Sequence, residues 1–95
     1  MTTTRLTAWV HGNVQGVGFR WWTRSQAQEL GLAGSAKNLI DGRVCVVVEG
    51  PKARIETLLH RLWGAEQGTY QRPGQVSTII EQWGEPKGVR GFTVG

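Results

Sequence analysis

Gly12-Asn13-Val14-Gln15-Gly16-Val17-Gly18-Phe19-Arg20 places three glycines within seven residues and ends on an arginine. Upstream, Leu6, Ala8 and Val10 alternate with Thr7, Trp9 and His11, the period of a half-buried strand. Downstream, Phe19, Trp22, Ala27 and Leu30 recur at helical spacing. Arg24, Ser25, Gln28 and Glu29 form the polar side, and Gly31-Leu32 reads as a C-terminal cap. The glycine run is therefore a strand-to-helix turn. Lacking a Cβ, glycine reaches positive φ and lets backbone approach a ligand closely. The N–H groups of Gln15, Gly16, Val17, Gly18, Phe19 and Arg20 can then converge on one point, backed by the positive end of the helix dipole. Arg20 adds a planar, permanently charged fork that matches phosphate geometry. The expected ligand is an anion.

Outward from this turn, residues 35–40 and 43–49 flank Asp41-Gly42, a hairpin signal of the type I′ kind, in which both turn positions need positive φ. Val44-Cys45-Val46-Val47-Val48 is nearly all apolar and is expected at the centre of the sheet, with Cys45 a small core hydrophobe. Pro51 opens a second helix whose buried stripe is Ile55, Leu58, Leu59 and Leu62, and Gly64 stops it. Residues 64–74 read as a loop, 75–83 as a long strand and 89–94 as a short last one. The order is β-α-β-β-α-β plus a short strand, which favours an α+β ferredoxin-like sandwich. Its antiparallel sheet of four to five strands carries two helices on one face. At 95 residues the chain is long enough for a single core, so residues 1–95 are expected to form one domain.

The glycine run is not a common nucleotide motif. No Lys-Ser or Lys-Thr pair follows it, as a Walker loop requires, and Trp21 stands where the dinucleotide pattern needs its last glycine. Val14-Gln15-Gly16-Val17-Gly18-Phe19-Arg20 instead resembles the signature of the acylphosphatase family. Gly34-x-x-Lys37-Asn38 followed by Asp41-Gly42-x-Val44 resembles a second family element at the expected distance, and the resemblance runs from about Leu6 to Phe92. Two departures stand out. Ser35 and Ala36 replace an aromatic residue and a valine ahead of Asn38, and the entry to the fourth strand is altered to Gly68-Thr69-Tyr70-Gln71-Arg72-Pro73-Gly74.

The resemblance implies hydrolysis of an acyl phosphate, with Arg20 gripping the phosphoryl group and Asn38 orienting the water. The residues are chemically suited to those roles. The leaving carboxylate has a conjugate-acid pKa of about 4, so it departs as an anion without a general acid. A neutral amide offers an acceptor and donors in fixed geometry without repelling the anionic substrate. No His, Cys or carboxylate cluster has metal-ligand spacing, so neither metal nor other cofactor is expected.

Composition fits this reading. Hydrophobic residues make up 39% and charged ones 19%, against disorder, and no apolar run reaches the length of a membrane span. The net charge of +4 is scattered from Arg5 to Arg90, which reads as a solvated surface mildly attractive to anions rather than a nucleic-acid or membrane patch. One cysteine forms no internal disulfide and suits a cytoplasmic location. The expected partner is a small acyl phosphate met by a monomer. His11 is expected to play a supporting or surface role and His60 to be exposed. Trp22, Trp63 and Trp83 are expected to pack, Trp21 to lie exposed beside Arg20, and Trp9 is left open. Two alternatives remain: a non-catalytic anion-binding module, and an RNA-binding one, since Arg90-Gly91-Phe92 resembles the start of an RNA-recognition motif.

Overall fold

The computed structural model describes residues 2–64 and 73–95; the part of the expected loop over 65–72 lies outside them. The elements run β1 (Thr3–Asn13), α1 (Phe19–Glu29), β2 (Ala33–Asn38), β3 (Val44–Pro51), α2 (Lys52–Trp63), β4 (Gln75–Gly84) and β5 (Phe92–Val94). They build one five-stranded sheet in the order β4-β1-β3-β2-β5. β1 pairs antiparallel with β3 and β4, as β2 does with β3. The wholly antiparallel expectation fails at the last strand, because β5 pairs parallel with β2. The chain reaches β5 from the far edge strand, β4, so β5 is not tied to its neighbour by a tight turn that would reverse its direction.

The register explains the core. Leu6 lies opposite Val48 and Val10 opposite Val44, so one face of the sheet gathers Leu6, Ala8, Val10, Val44, Val46 and Val48, all buried. Ile55, Leu58 and Leu62 of α2 and Phe19 and Ala27 of α1 join the same cluster. Each aliphatic side chain so removed from water contributes about 1.5–3 kcal/mol. Period two sends Thr7, Trp9, Cys45 and Val47 to the opposite face, where they are only half-buried. Cys45 is thus not a core residue, although β3 is the central strand as expected. Its thiol pKa is raised, chiefly by burial, against the lowering effect of Arg43, Lys37 and Arg5.

Local signals ended both helices as expected. After α1, Gly31 adopts φ +69°, its N–H donates to Gln28 O, and the Leu32 N–H donates to Ala27 O, a Schellman motif. α2 stops at Gly64 with φ +78°. Between the helices, the buried Arg61 donates through Nη1 to Gln26 Oε1 at 2.8 Å and lies 3.4 Å from Glu29 Oε1. Trp22 packs on Phe19 with ring centroids 5.9 Å apart. Trp63 and Trp83 depart from expectation, being 43% and 36% exposed. Trp83 shares the helix-facing side of β4 with Ile79, but β4 is the edge strand and the helices bury only Ile79 there.

Candidate active site

Val14 and Phe19, each 1% exposed, pin the two ends of the glycine turn into the core. The chain between them loops outward, with Gly16, Val17 and Gly18 exposed. Gly16 has φ +73° and Gly18 φ +81°, whereas the described residues other than glycine all avoid positive φ. Alternating signs of φ turn successive N–H groups toward one side, the geometry of an anion nest. A Cβ on either glycine would meet nothing within 4 Å, so backbone conformation rather than space requires glycine here. Gly18 is also the N-cap of α1, where no side chain caps the helix and no acidic residue occupies the first turn. The orphan N–H groups and the dipole of α1 are thus left for a ligand. Where His11 pairs with Thr78 and Gly12 with Val76, Ser77 of β4 is an extra residue, a bulge in the edge strand beside the end of β1.

Gln15 connects this cradle to the loop after β2. Its Nε2 donates to Leu39 O at 2.8 Å and to Arg43 O at 2.9 Å. That loop is not the two-residue turn expected. The Gly42 N–H donates to Leu39 O and the Leu39 N–H to Arg43 O, so Ile40, Asp41 and Gly42 form a three-residue connection. Gly42 alone takes positive φ, at +95°, as in a turn followed by a bulge residue. Asp41 accepts from the Arg43 backbone N–H and pairs with its side chain. The backbone bond, the largest cause, holds the Asp41 carboxyl below its ordinary value, partly opposed by burial.

Arg20 and Asn38 come together through the segment after β5. Arg20 Nη1 donates to the Gly95 carbonyl, the same oxygen approached at 3.4 Å by the Asn38 backbone N–H. The Gly95 N–H donates in turn to Ala36 O at 3.0 Å. Both side chains reach the surface: Arg20 is half-buried and Asn38 exposed. No acidic side chain among the described residues pairs with Arg20, and none hydrogen-bonds the Asn38 amide. Gly34, the second residue of β2, is demanded by packing: a Cβ there would lie 1.7 Å from Val47 O. It keeps β2 against β3 along the register that ends on Asn38.

Other candidates are separate from this constellation or only border it. His60 is exposed on α2. His11 is half-buried on the face opposite the core, with Nε2 buried and without a protein hydrogen-bond partner. Among the described residues, no three His, Cys, Asp or Glu side chains gather where a metal ion could be held. Phe92, the aromatic of the RNA-recognition resemblance, is buried in the core on an edge strand and presents no stacking surface. The role of Gly95 was not anticipated, and only the pairing of β5 with β2 reveals it.

The sequence profile of the acylphosphatase family matches residues 6–94. The chain belongs to the acylphosphatase family. It is 71% identical over 89 residues to an acylphosphatase of Corynebacterium efficiens, covering 94% of this chain and 89% of that one. It is 67% identical over 92 residues to an acylphosphatase of Corynebacterium glutamicum, covering 97% of both. The solved structure of an acylphosphatase from Coxiella burnetii superposes with a TM-score of 0.86 at 33% identity, over 98% of this chain and 93% of that one. Among the described residues of this family member, no helix is long and apolar enough to cross a membrane.

Proposed function

We propose that the chain hydrolyses acyl phosphates without a metal, through the cradle of residues 15–20 with Arg20 and Asn38. The phosphoryl oxygens sit on the N–H groups of Gln15, Gly16, Val17, Gly18, Phe19 and Arg20, and the Arg20 fork grips them from the side. Water attacks phosphorus, the P–O bond to the acyl group breaks, and the electron pair leaves with the carboxylate. R–CO–O–PO₃²⁻ and water thus give R–COO⁻ and H₂PO₄⁻. The Asn38 amide holds that water in line, and a phosphoryl oxygen takes its proton.

Phosphoryl transfer leaves little covalent work to the protein, so positioning and fixed positive charge suffice. The observation that carries the reading is the nest at an uncapped helix start, with an arginine held to the same carbonyl as the Asn38 backbone. All of its parts come from one polypeptide, which suits a single domain over residues 1–95 acting as a monomer. The lone thiol of Cys45 suits the reducing cytoplasm.

The test is hydrolysis of benzoyl phosphate in EDTA by the wild type and by Arg20→Gln. Rapid turnover that persists in EDTA and is lost in the variant is expected. Turnover that needs an added divalent metal would refute the metal-free assignment, and full activity in Arg20→Gln would remove Arg20 from its role.

A further inference from the structure

The face of the sheet turned away from the helices carries a concavity of about 530 Å³, the size of a small-molecule site. Period two puts Ser35 and Lys37 on this face and Ala36 and Asn38 on the other. The concavity therefore lies behind the strand that carries Asn38, apart from the cradle. Its floor is made by Ser35, Cys45 and Val47, with Ser35 opposite Val47 and Lys37 opposite Cys45 in the register of β2 and β3. Thr93, beside Ser35, closes it on the β5 side. At the far end stand Val89 and Arg90, from the segment whose N–H groups at Lys87, Gly88 and Val89 hold the Glu49 carboxylate.

Its charge is one-signed. Arg5, Lys37 and Arg90 are far apart in sequence, yet all three line this concavity and no acidic side chain among the described residues does. Glu49 faces Arg5 across β1 and β3, but its charge is taken up by Arg5 at 2.6 Å and by the three N–H groups. The charges that bear on the Cys45 thiol, those of Arg43, Lys37 and Arg5, are all positive. Arg43 is paired with Asp41 and Arg5 with Glu49, which leaves Lys37 and Arg90. Both are exposed, and neither pairs with a carboxylate among the described residues. They also stand toward opposite ends. Lys37 is level with Cys45, and Arg90 follows Val89, whose N–H reaches Glu49. From Cys45 to Glu49 is four residues of β3, about 13 Å of extended chain. Between the two cations lie the Ser35 and Thr93 hydroxyls and the apolar Val47. Among the described residues that line the concavity none is aromatic, so nothing there stacks a base as a surface for single-stranded nucleic acid does.

We propose that this concavity is a second anion site, which takes an extended organic dianion such as a dicarboxylate, one charged end on Lys37 and the other on Arg90. Joining two anionic ends makes the second contact intramolecular, so a dianion is held where either end alone is held weakly. The Arg90 fork suits a carboxylate, and the Lys37 ammonium acts as a point charge. The site is independent of the hydrolysis assigned to the cradle.

The test is titration of the 15N-labelled chain with suberate, a linear dicarboxylate, followed by backbone amide shifts. Shifts are expected to centre on Ser35, Lys37, Cys45, Val47, Arg90 and Thr93, with a millimolar Kd that rises with salt. Lys37→Gln and Arg90→Gln should each weaken binding about threefold, and the double variant about tenfold, as exposed ion pairs do. Octanoate, of the same carbon count with one charge, should bind about threefold more weakly than suberate. The same spectra show that each variant is folded. Shifts confined to residues 15–20 would place suberate in the cradle and overturn the second site, as would a Kd unchanged in both single variants. Equal affinity for octanoate and suberate would overturn the two-ended grip.

Discussion

Two arginines near opposite ends of β1 each serve a cluster of backbone N–H groups that includes a glycine of positive φ, and only one of the clusters is closed by the chain itself. Arg5 donates to Glu49 Oε2 at 2.6 Å, and the Glu49 carboxylate also accepts the N–H groups of Lys87, Gly88 and Val89 at 2.8, 3.0 and 3.3 Å. Gly88 has φ +80°. Glu49 is 5% exposed, so this anion, its arginine and its nest form a clamp that fastens the segment between β4 and β5 to the sheet. The cradle has the same parts, with Gly16 and Gly18 for the nest and Arg20 for the fork, but no acidic side chain among the described residues enters it. Arg20 instead donates to the main-chain oxygen of Gly95. The lesson is that one recipe for holding an anion serves folding where a side chain supplies the carboxylate and leaves an open cradle where no acidic side chain enters.

The sharpest way to break this comparison is Arg20→Lys. A point charge cannot replace a fork, so kcat/KM should fall by about 10²–10³ with stability little changed. A value near wild type would show that the arginines at the two sites are not equivalent. Asn38→Ala should lower kcat by about 10–100-fold while KM moves only slightly, as the proposed water-positioning role requires. An equal rise in KM would assign Asn38 to substrate binding instead.

Glu49→Gln sharpens the contrast from the other side. It should cost about 2 kcal/mol in urea unfolding, as hydrogen bonds to a charged group are lost, and leave kcat/KM intact. The wild-type clamp should also respond to pH. Burial raises the Glu49 pKa, but the Lys87 N–H, the Arg5 guanidinium and the N–H groups of Val89 and Gly88 outweigh it, so the folded value is lowered. A lowered folded pKa means that the carboxylate stabilises the fold above its unfolded-state pKa, and that this contribution is lost as pH falls through the folded value. Wild type should therefore lose more stability in acid than Glu49→Gln does, and parallel curves would contradict the clamp. The smallest effect is expected at Gly16→Ala, where positive φ without steric crowding should cost about 1–2 kcal/mol of stability and weaken phosphate binding.

Much of this contrast was legible in the residue order, and the reasons are local. Positive φ at Gly16 and Gly18, the Gly31-Leu32 cap and the Gly64 stop each depend on a few neighbouring atoms. The buried stripe of Ile55, Leu58, Leu59 and Leu62 depends only on helical period. The misreadings arose at a turn and within one strand, and what was missed lay between the helices. Asp41-Gly42 looked like a two-residue turn, but the bond from the Leu39 N–H to Arg43 O makes the connection three residues long. Cys45 sat among valines, yet period two turned it away from the core. Nothing in the charge pattern of α2 separates the buried Arg61 from the exposed Arg54, because Gln26 and Glu29 lie on another helix.

By itself the sequence determined the order of elements and the glycine turn between β1 and α1, and it nominated Arg20 and Asn38 through a family resemblance, since spacing and residue type express backbone conformation and charge directly. Only the tertiary structure decided that β5 runs parallel beside β2, that the Gly95 carbonyl draws Arg20 toward Asn38, and that Glu49 closes a second nest. These contacts join residues 38 or more positions apart. They follow from how the strands pack side by side, which no local pattern encodes.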